Sequence, residues 1–253
     1  MGMQDTTNEP KTNTKTKAKR LPTPALQCFF LDDPSIIEIG VDEVGRGPMF
    51  GRVYTAAVIL PKDDSFDHSL MKDSKKFHSK KKIEEVAEYI KQHCIAWHVS
   101  YEDEKTIDNI NILQATQKSM HKSILATKQK YIDLCSSTHV DIATKKIQLL
   151  IDGNYFNPIS FLNKQRGIIE TMPHVCIEGG DNKYTSIAAA SILAKVARDE
   201  YIDQMCVEYP ELVEKYAIDS NKGYGSKKHM DGIKQHGITI WHRRTFGICK
   251  DYV

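Results

Sequence analysis

The sequence is short of several features that usually identify a protein. Its six cysteines (Cys28, Cys94, Cys135, Cys176, Cys206, Cys249) are scattered, with no C-x-x-C pair. That argues against a zinc ribbon and against a dense disulfide framework, and it fits reduced thiols in an intracellular, cytoplasmic protein. No apolar run approaches the length of a membrane span, no signal-peptide pattern opens the chain, and no internal repeat is present. One sign of charge does not dominate either: 35 Lys and Arg against 33 Asp and Glu leave a net charge of +2. Without a global basic field, any nucleic-acid face must come from local clusters, and two stand out. One is Lys72, Lys75, Lys76, Lys80, Lys81 and Lys82; the other is Lys222, Lys227, Lys228, Arg243 and Arg244.

The first 26 residues lack aromatics and are rich in Thr, Asn and Lys, a composition with too little apolar surface to offset the entropy of ordering. Within them, Lys15 to Arg20 reads as a solubilising stretch, with a nonspecific nucleic-acid arm or, in a eukaryotic or viral setting, a nuclear address as the alternatives. A single catalytic domain is expected over 27–253. Gln27-Cys28-Phe29-Phe30-Leu31 faintly resembles a sliding-clamp peptide, although aromatics entering a core would look the same.

What is present is punctuated by acid and glycine. Ile36 to Val41 and Arg52 to Leu60 read as neighbouring strands separated by Gly-Pro turn chemistry. Cys94 to Val99 reads as a third strand, and Ile147 to Ile151 as a short buried one. Helical spacing runs over Lys80–Gln92. A second helix is expected from Asn109 to about Lys128, capped by Asp108, with Ile110, Leu113, Met120 and Ile124 facing the core. A third, over 186–206, is dense in small residues that allow close packing. Strands alternating with helices predict α/β layers.

Asp42 and Asp152 share one local context: each closes an apolar strand, with glycine close behind. Open α/β sheets place ligands beyond the carboxyl ends of their strands, so two such aspartates converge if their strands are neighbours. Glu43 can join Asp42 only where the strand ends or bends, because successive residues face opposite ways. Gly45 and Gly47 offer the bend and a close backbone approach, and Arg46 between them is a fork of donors suited to phosphate.

Five ordered blocks go further: GVDEVGRGP (40–48), DSKKF (73–77), LIDGN (150–154), GD with SIAAASILAKVARD (180–181 and 186–199), and KGYGSKKH with HRRTFG (222–229 and 242–247). Together they resemble the type 2 ribonucleases H of the bacterial ribonuclease HII kind. The resemblance implies a ribonuclease H-like mixed sheet flanked by helices, with a helical C-terminal part. It implies an endonuclease that cuts the RNA strand of RNA–DNA hybrids and incises 5′ of single ribonucleotides embedded in duplex DNA. The implied ligands of two Mg²⁺ or Mn²⁺ ions are Asp42, Glu43, Asp152 and Asp181, with Asp42 bridging both. Gly45, Arg46 and Gly47 would sense the ribose 2′-OH, and Tyr224 would pack on the next deoxyribose. Lys75 and Lys76 would hold phosphates, and Asn111 would reach the backbone. Arg243 and Arg244 fit either phosphate binding or pinning of the C-terminal segment. A monomer is expected.

The chain departs from the family pattern at Gly179, where a lysine often stands, at Arg52, and in the longer segments 131–146 and 155–173. Two other readings are a hybrid-binding protein without catalysis and the related ribonuclease HIII. Clustered carboxylates argue against the first, since a binding protein has no use for their repulsion. The second usually has an extra N-terminal domain, for which the 26-residue tail is too short.

Overall fold

The computed structural model describes residues 25–139, 145–163 and 166–253. The readings of the basic stretch at 15–20, and of the tail as a whole up to residue 24, lie outside the described residues.

A five-stranded mixed sheet forms the centre. Strand β1 (Ile36–Val44) pairs antiparallel with β2 (Val53–Ile59), and β2 pairs antiparallel with β3 (Ala96–Glu102). On its other side β1 runs parallel to β4 (Lys146–Asp152), from Ile36 beside Lys146 up to Val41 beside Ile151. A hairpin of β5 (Ser160–Asn163) and β6 (Ile168–Thr171) follows, and β7 (His174–Ile177) closes the sheet parallel to β4. The order is β3-β2-β1-β4-β7. Asp42 and Asp152 each lie one step past the Val41–Ile151 pair. The predicted convergence of the two aspartates therefore follows from strand adjacency alone, across a spacing of about 4.8 Å.

Helix α1 (Lys80–His93) and helix α3 (Thr185–Glu208) cover one face, α2 (Glu104–Ser137) the other. β4 is apolar on both faces, with Leu149 and Ile151 towards α2 and Leu150 towards α3, while β1 sets Ile39 and Val41 towards α2 and carries Glu38, Gly40 and Asp42 on the opposite side. The alanines of α3 allow a very close approach. A Cβ on Gly40 would lie 2.2 Å from the carbonyl carbon of Ser186, so only glycine lets the start of α3 rest on β1 beside Asp42. Three short helices, α4 (Glu211–Tyr216), α5 (Ile218–Asn221) and α6 (Lys227–His236), form the C-terminal part. They share an apolar cluster with Met49, Phe50 and Tyr54.

Four local expectations are corrected. Strand β1 does not stop at Asp42: Glu43 and Val44 still pair with Thr55 and Tyr54. The third strand begins later than Cys94, whose amide instead closes the end of α1 on the Ile90 carbonyl. Helix α2 begins at Glu104, capped by Asp103, whose carboxylate accepts from the Thr106 amide at 2.8 Å. Asp108 receives the amides of Arg244 and Thr245 and the Thr245 hydroxyl, and Ile110 is exposed. Burial of Ile107 beside Val53 sets the start of the helix at the earlier aspartate.

Ahead of β1, the segment 27–31 is tied to the body. Gln27 forms a β-bridge with Tyr184, and the Phe30 and Leu31 amides donate to the Glu38 carboxylate at 2.9 and 2.7 Å.

Candidate active site

The carboxylates meet where β1, β4 and the turn before α3 end. Asp42 is buried, and burial followed by the charges of Glu43 and Asp152 pushes its carboxyl well above the usual range. The Ser191 hydroxyl and the Glu43 amide, at 2.7 Å, oppose that shift by hydrogen bonding to its charged form. Glu43 is also raised by burial and by Asp152, against the attraction of Arg46 at 3.3 Å. Asp181 sits in the single turn Gly180–Asn182, raised by burial, then by Asp152 and Asp73, with Asn182 and Lys75 opposing. Asp152 is the common neighbour, since its charge reaches the other three. One of its oxygens accepts the Gly180 amide at 2.7 Å, which ties the Asp181 turn to the end of β4.

Mutual repulsion in a water-poor site is the signature of carboxylates that want a cation. An all-oxygen set suits a hard divalent ion such as Mg²⁺ or Mn²⁺. Yet among the described residues no three His, Cys, Asp or Glu side chains are gathered closely enough to hold one ion as they stand. Like charges keep apart, and Arg46, the Gly180 amide and Asn182 each hold one carboxylate aside.

The residues expected to read the ribose follow directly on β1, beside this floor. Gly45 has φ +88°, and a Cβ there would lie 2.4 Å from Nε of Arg198. Gly47 lies under Tyr224: a Cβ on it would be 3.4 Å from the tyrosine ring. Turn and ring, 177 positions apart in the chain, are in contact. Arg46 is half-exposed and pairs with Glu43. Lys75 follows Ser74, whose hydroxyl lies 3.0 Å from that of Ser191; Lys76 donates to Asn182. Both lysines therefore border Asp181. Asn111 lies inside α2. It breaks α2 with φ 65° and ψ 165°, a conformation favoured by glycine, and its side-chain oxygen caps the second half of the helix on the Gln114 amide at 3.1 Å.

Arg243 is fully buried and donates to the carbonyls of Gly51, Arg46 and Gly45 at 2.8, 2.9 and 2.6 Å, so it pins rather than binds phosphate. Arg52 stacks between the Tyr101 and Tyr201 rings, 4.1 and 4.4 Å from their centroids. Gly179 has φ +62°, which suits glycine better than lysine. Sequence reasoning missed Ser191, Asn182 and Arg198. Arg198 is buried, donates to the Lys222 carbonyl at 2.8 Å, and lies 5.9 Å from the Tyr224 ring. A polar residue in the alanine run and an arginine on its buried face were the signals available.

A family model described as Ribonuclease HII matches residues 39–249. The chain is 40% identical over 216 residues to the ribonuclease HII of Bacteroides thetaiotaomicron, covering 85% of this chain and 92% of that one. Two solved structures are similar in fold. The ribonuclease H2 of Pyrococcus horikoshii OT3 has a TM-score of 0.59 at 22% identity, covering 85% of this chain and 96% of that one. Bst-RNase HIII in complex with Mn²⁺ has a TM-score of 0.56 at 21% identity, covering 86% of this chain and 69% of that one. At those identities the structures support the mixed sheet and its flanking helices alone. Sequence and family model decide the rest: the chain belongs to the ribonuclease HII family of metal-dependent endonucleases.

Proposed function

We propose that this chain hydrolyses the RNA strand of RNA–DNA hybrids and also incises 5′ of a single ribonucleotide embedded in duplex DNA. The observation that carries the reading is the parallel register that sets Asp42 of β1 beside Asp152 of β4, with Asp152 tied through the Gly180 amide to the turn that holds Asp181. Those four residues would hold Mg²⁺ or Mn²⁺, with Asp42 the most enclosed and best placed to bridge two ions. When bound, such a pair supplies an activated water and neutralises charge at the leaving 3′ oxygen.

The chain's own groups do the remaining work. Gly47 leaves the turn exposed, so that the backbone of Gly45, Arg46 and Gly47 can approach a ribose there and meet the 2′-OH, the group that distinguishes RNA from DNA, while Gly45 makes room for Arg198. Tyr224, half-exposed over that turn, would test the next sugar by packing on a deoxyribose face. Arg46, released from Glu43 as cations enter, would become free for the phosphodiester. Lys75 and Lys76 would hold phosphate on the Asp181 side, while Asn111 stands as the weaker contact, its side-chain oxygen already used as a cap.

We read residues 27–253 as one catalytic unit, intracellular and monomeric. Residues 27–31 could meet a sliding clamp only after leaving the Tyr184 bridge and the Glu38 contacts.

The test is a DNA duplex with one ribonucleotide, incubated with Mg²⁺ and its products mapped. We expect one break on the 5′ side of the ribonucleotide, leaving a 3′ hydroxyl and a 5′ phosphate. A break on the 3′ side, or cleavage of continuous hybrid alone, would overturn the junction reading.

A further inference from the structure

Two histidines lie buried and touching, away from the carboxylates. His229, in α6, and His242, in the C-terminal segment, have their Nε2 atoms 3.0 Å apart, and neither ring is exposed. Their partners dictate where the protons sit. His229 Nδ1 lies 2.9 Å from the Tyr224 carbonyl, which can only accept, so Nδ1 carries the hydrogen and Nε2 is left an acceptor. His242 Nδ1 receives the Thr239 amide at 2.9 Å, so its hydrogen must be on Nε2. The Nε2–H of His242 then donates to Nε2 of His229. Every ring nitrogen has one role, and the chain of bonds runs without conflict from Thr239 through both rings to the main chain of Tyr224. Phe50 and Tyr216 close around His242 edge-on, and the apolar surroundings keep both rings neutral.

The next residue carries out the parallel task on the other element. Arg243 holds the carbonyls of Gly45 and Arg46, while its own amide donates to the Met49 carbonyl at 2.8 Å. Met49 in turn donates its amide to the Gly223 carbonyl at 2.9 Å. Turn and tyrosine are thus hung from two consecutive side chains of one segment.

Resting on the sugar-reading role given above to the turn and Tyr224, we infer that His242 and Arg243 are the positioning residues for ribose selection. His242, through His229, sets where Tyr224 stands over Gly47, and Arg243 sets the turn beneath it. Neither touches substrate. The spacing between a ring and a glycine is what a second sugar must fit, and small errors there cost rate steeply.

The experiment compares kcat/KM on the single-ribonucleotide duplex with kcat/KM on a continuous hybrid, in single variants and in a Tyr224→Ala background. His229→Leu should lower that ratio by about tenfold, mid-range for residues sharing one hydrogen-bond network. The change should fall on kcat more than on KM. His229→Asn, which keeps a donor towards the Tyr224 carbonyl, should restore most of the ratio. In the Tyr224→Ala background His229→Leu should change the ratio no further. Should His229→Leu fail to fold, His242→Phe removes the far half of the brace among Phe50 and Tyr216 and is read in the same way. A folded variant with an unchanged ratio overturns the inference. So does a fall that persists in full once Tyr224 is gone. If Tyr224→Ala itself leaves the ratio unchanged, the sugar-reading role has failed and the brace has nothing to position. If Tyr224→Ala lowers the ratio and the histidine variants do not, only the brace has failed.

Discussion

The carboxylate floor and the ledge proposed to read the sugar adjoin one another but are built on opposite principles. On the floor, the groups that matter repel: Asp42, Glu43 and Asp181 are each raised by burial and by the charge of Asp152. Single hydrogen bonds, from the Glu43 amide, Arg46, the Gly180 amide and Asn182, hold the carboxylates against that repulsion. On the ledge, the parts that would touch substrate are backbone and one ring, and they are fully tied. Arg243 grips carbonyls of the turn, Arg198 grips Lys222, and the His229–His242 pair holds Tyr224. A metal site can be assembled by its ion, whereas a gauge for a hydroxyl must be rigid beforehand, because a neutral sugar offers little energy to organise it.

The largest effect should come from removing charge on the floor. Asp152→Asn keeps size and the acceptor for the Gly180 amide but removes the charge that reaches the other three, and Mg²⁺-dependent cleavage should fall to background. Thermal melting without metal should stay level or rise, since repulsion is relieved. Cleavage at the wild-type rate under matched Mg²⁺ would show that the floor has been misassigned.

A smaller effect, and a selective one, is expected on the ledge. Tyr224→Ala should cost on the order of a hundredfold on the single-ribonucleotide duplex, as expected for misplacement by about 1 Å. The loss on the continuous hybrid should be less, because the next sugar there is already a ribose. Equal fractional losses on both would make Tyr224 a packing residue and dissolve the distinction between the two regions.

The smallest effect separates the regions by acid. Burial lowers His242 to about 3 from 6.5, so between those values the unfolded chain binds the proton and the folded one does not. Stability from His242 is therefore full above pH 6.5 and declines as pH falls, by up to roughly 1.4 kcal/mol per pH unit. The floor has the opposite sign. Its raised carboxyls bind protons in the folded state first, so falling pH through their elevated range relieves strain and adds stability. Urea midpoints at pH 7 and 5 in EDTA should show His242→Phe losing less than the parent on acidification, and Asp42→Asn losing more. Parallel slopes in all three would mean that neither region titrates as described.

Some of this was determined by the sequence alone. An apolar run reaching an Asp, twice, with glycine behind, puts two carboxylates near the carboxyl ends of strands, because strand geometry is local, although β1 runs on through Glu43 and Val44. The α3 alanines and Gly40 carry the same kind of information, since small residues mark close packing. Five ordered blocks then made the family legible. Other features were invisible at that range. Whether Asp103 or Asp108 caps α2 depended on which turn Val53 buries. Whether Arg243 meets phosphate or backbone depended on the turn 198 residues earlier in the chain. The pairing of His229 with His242, and of Tyr224 with Gly47, came from the packing of the C-terminal helices on Met49 and Phe50. Polar side chains have no periodicity that reveals their partners. Only the tertiary structure decides which donors are removed from water and therefore which acceptors they must find.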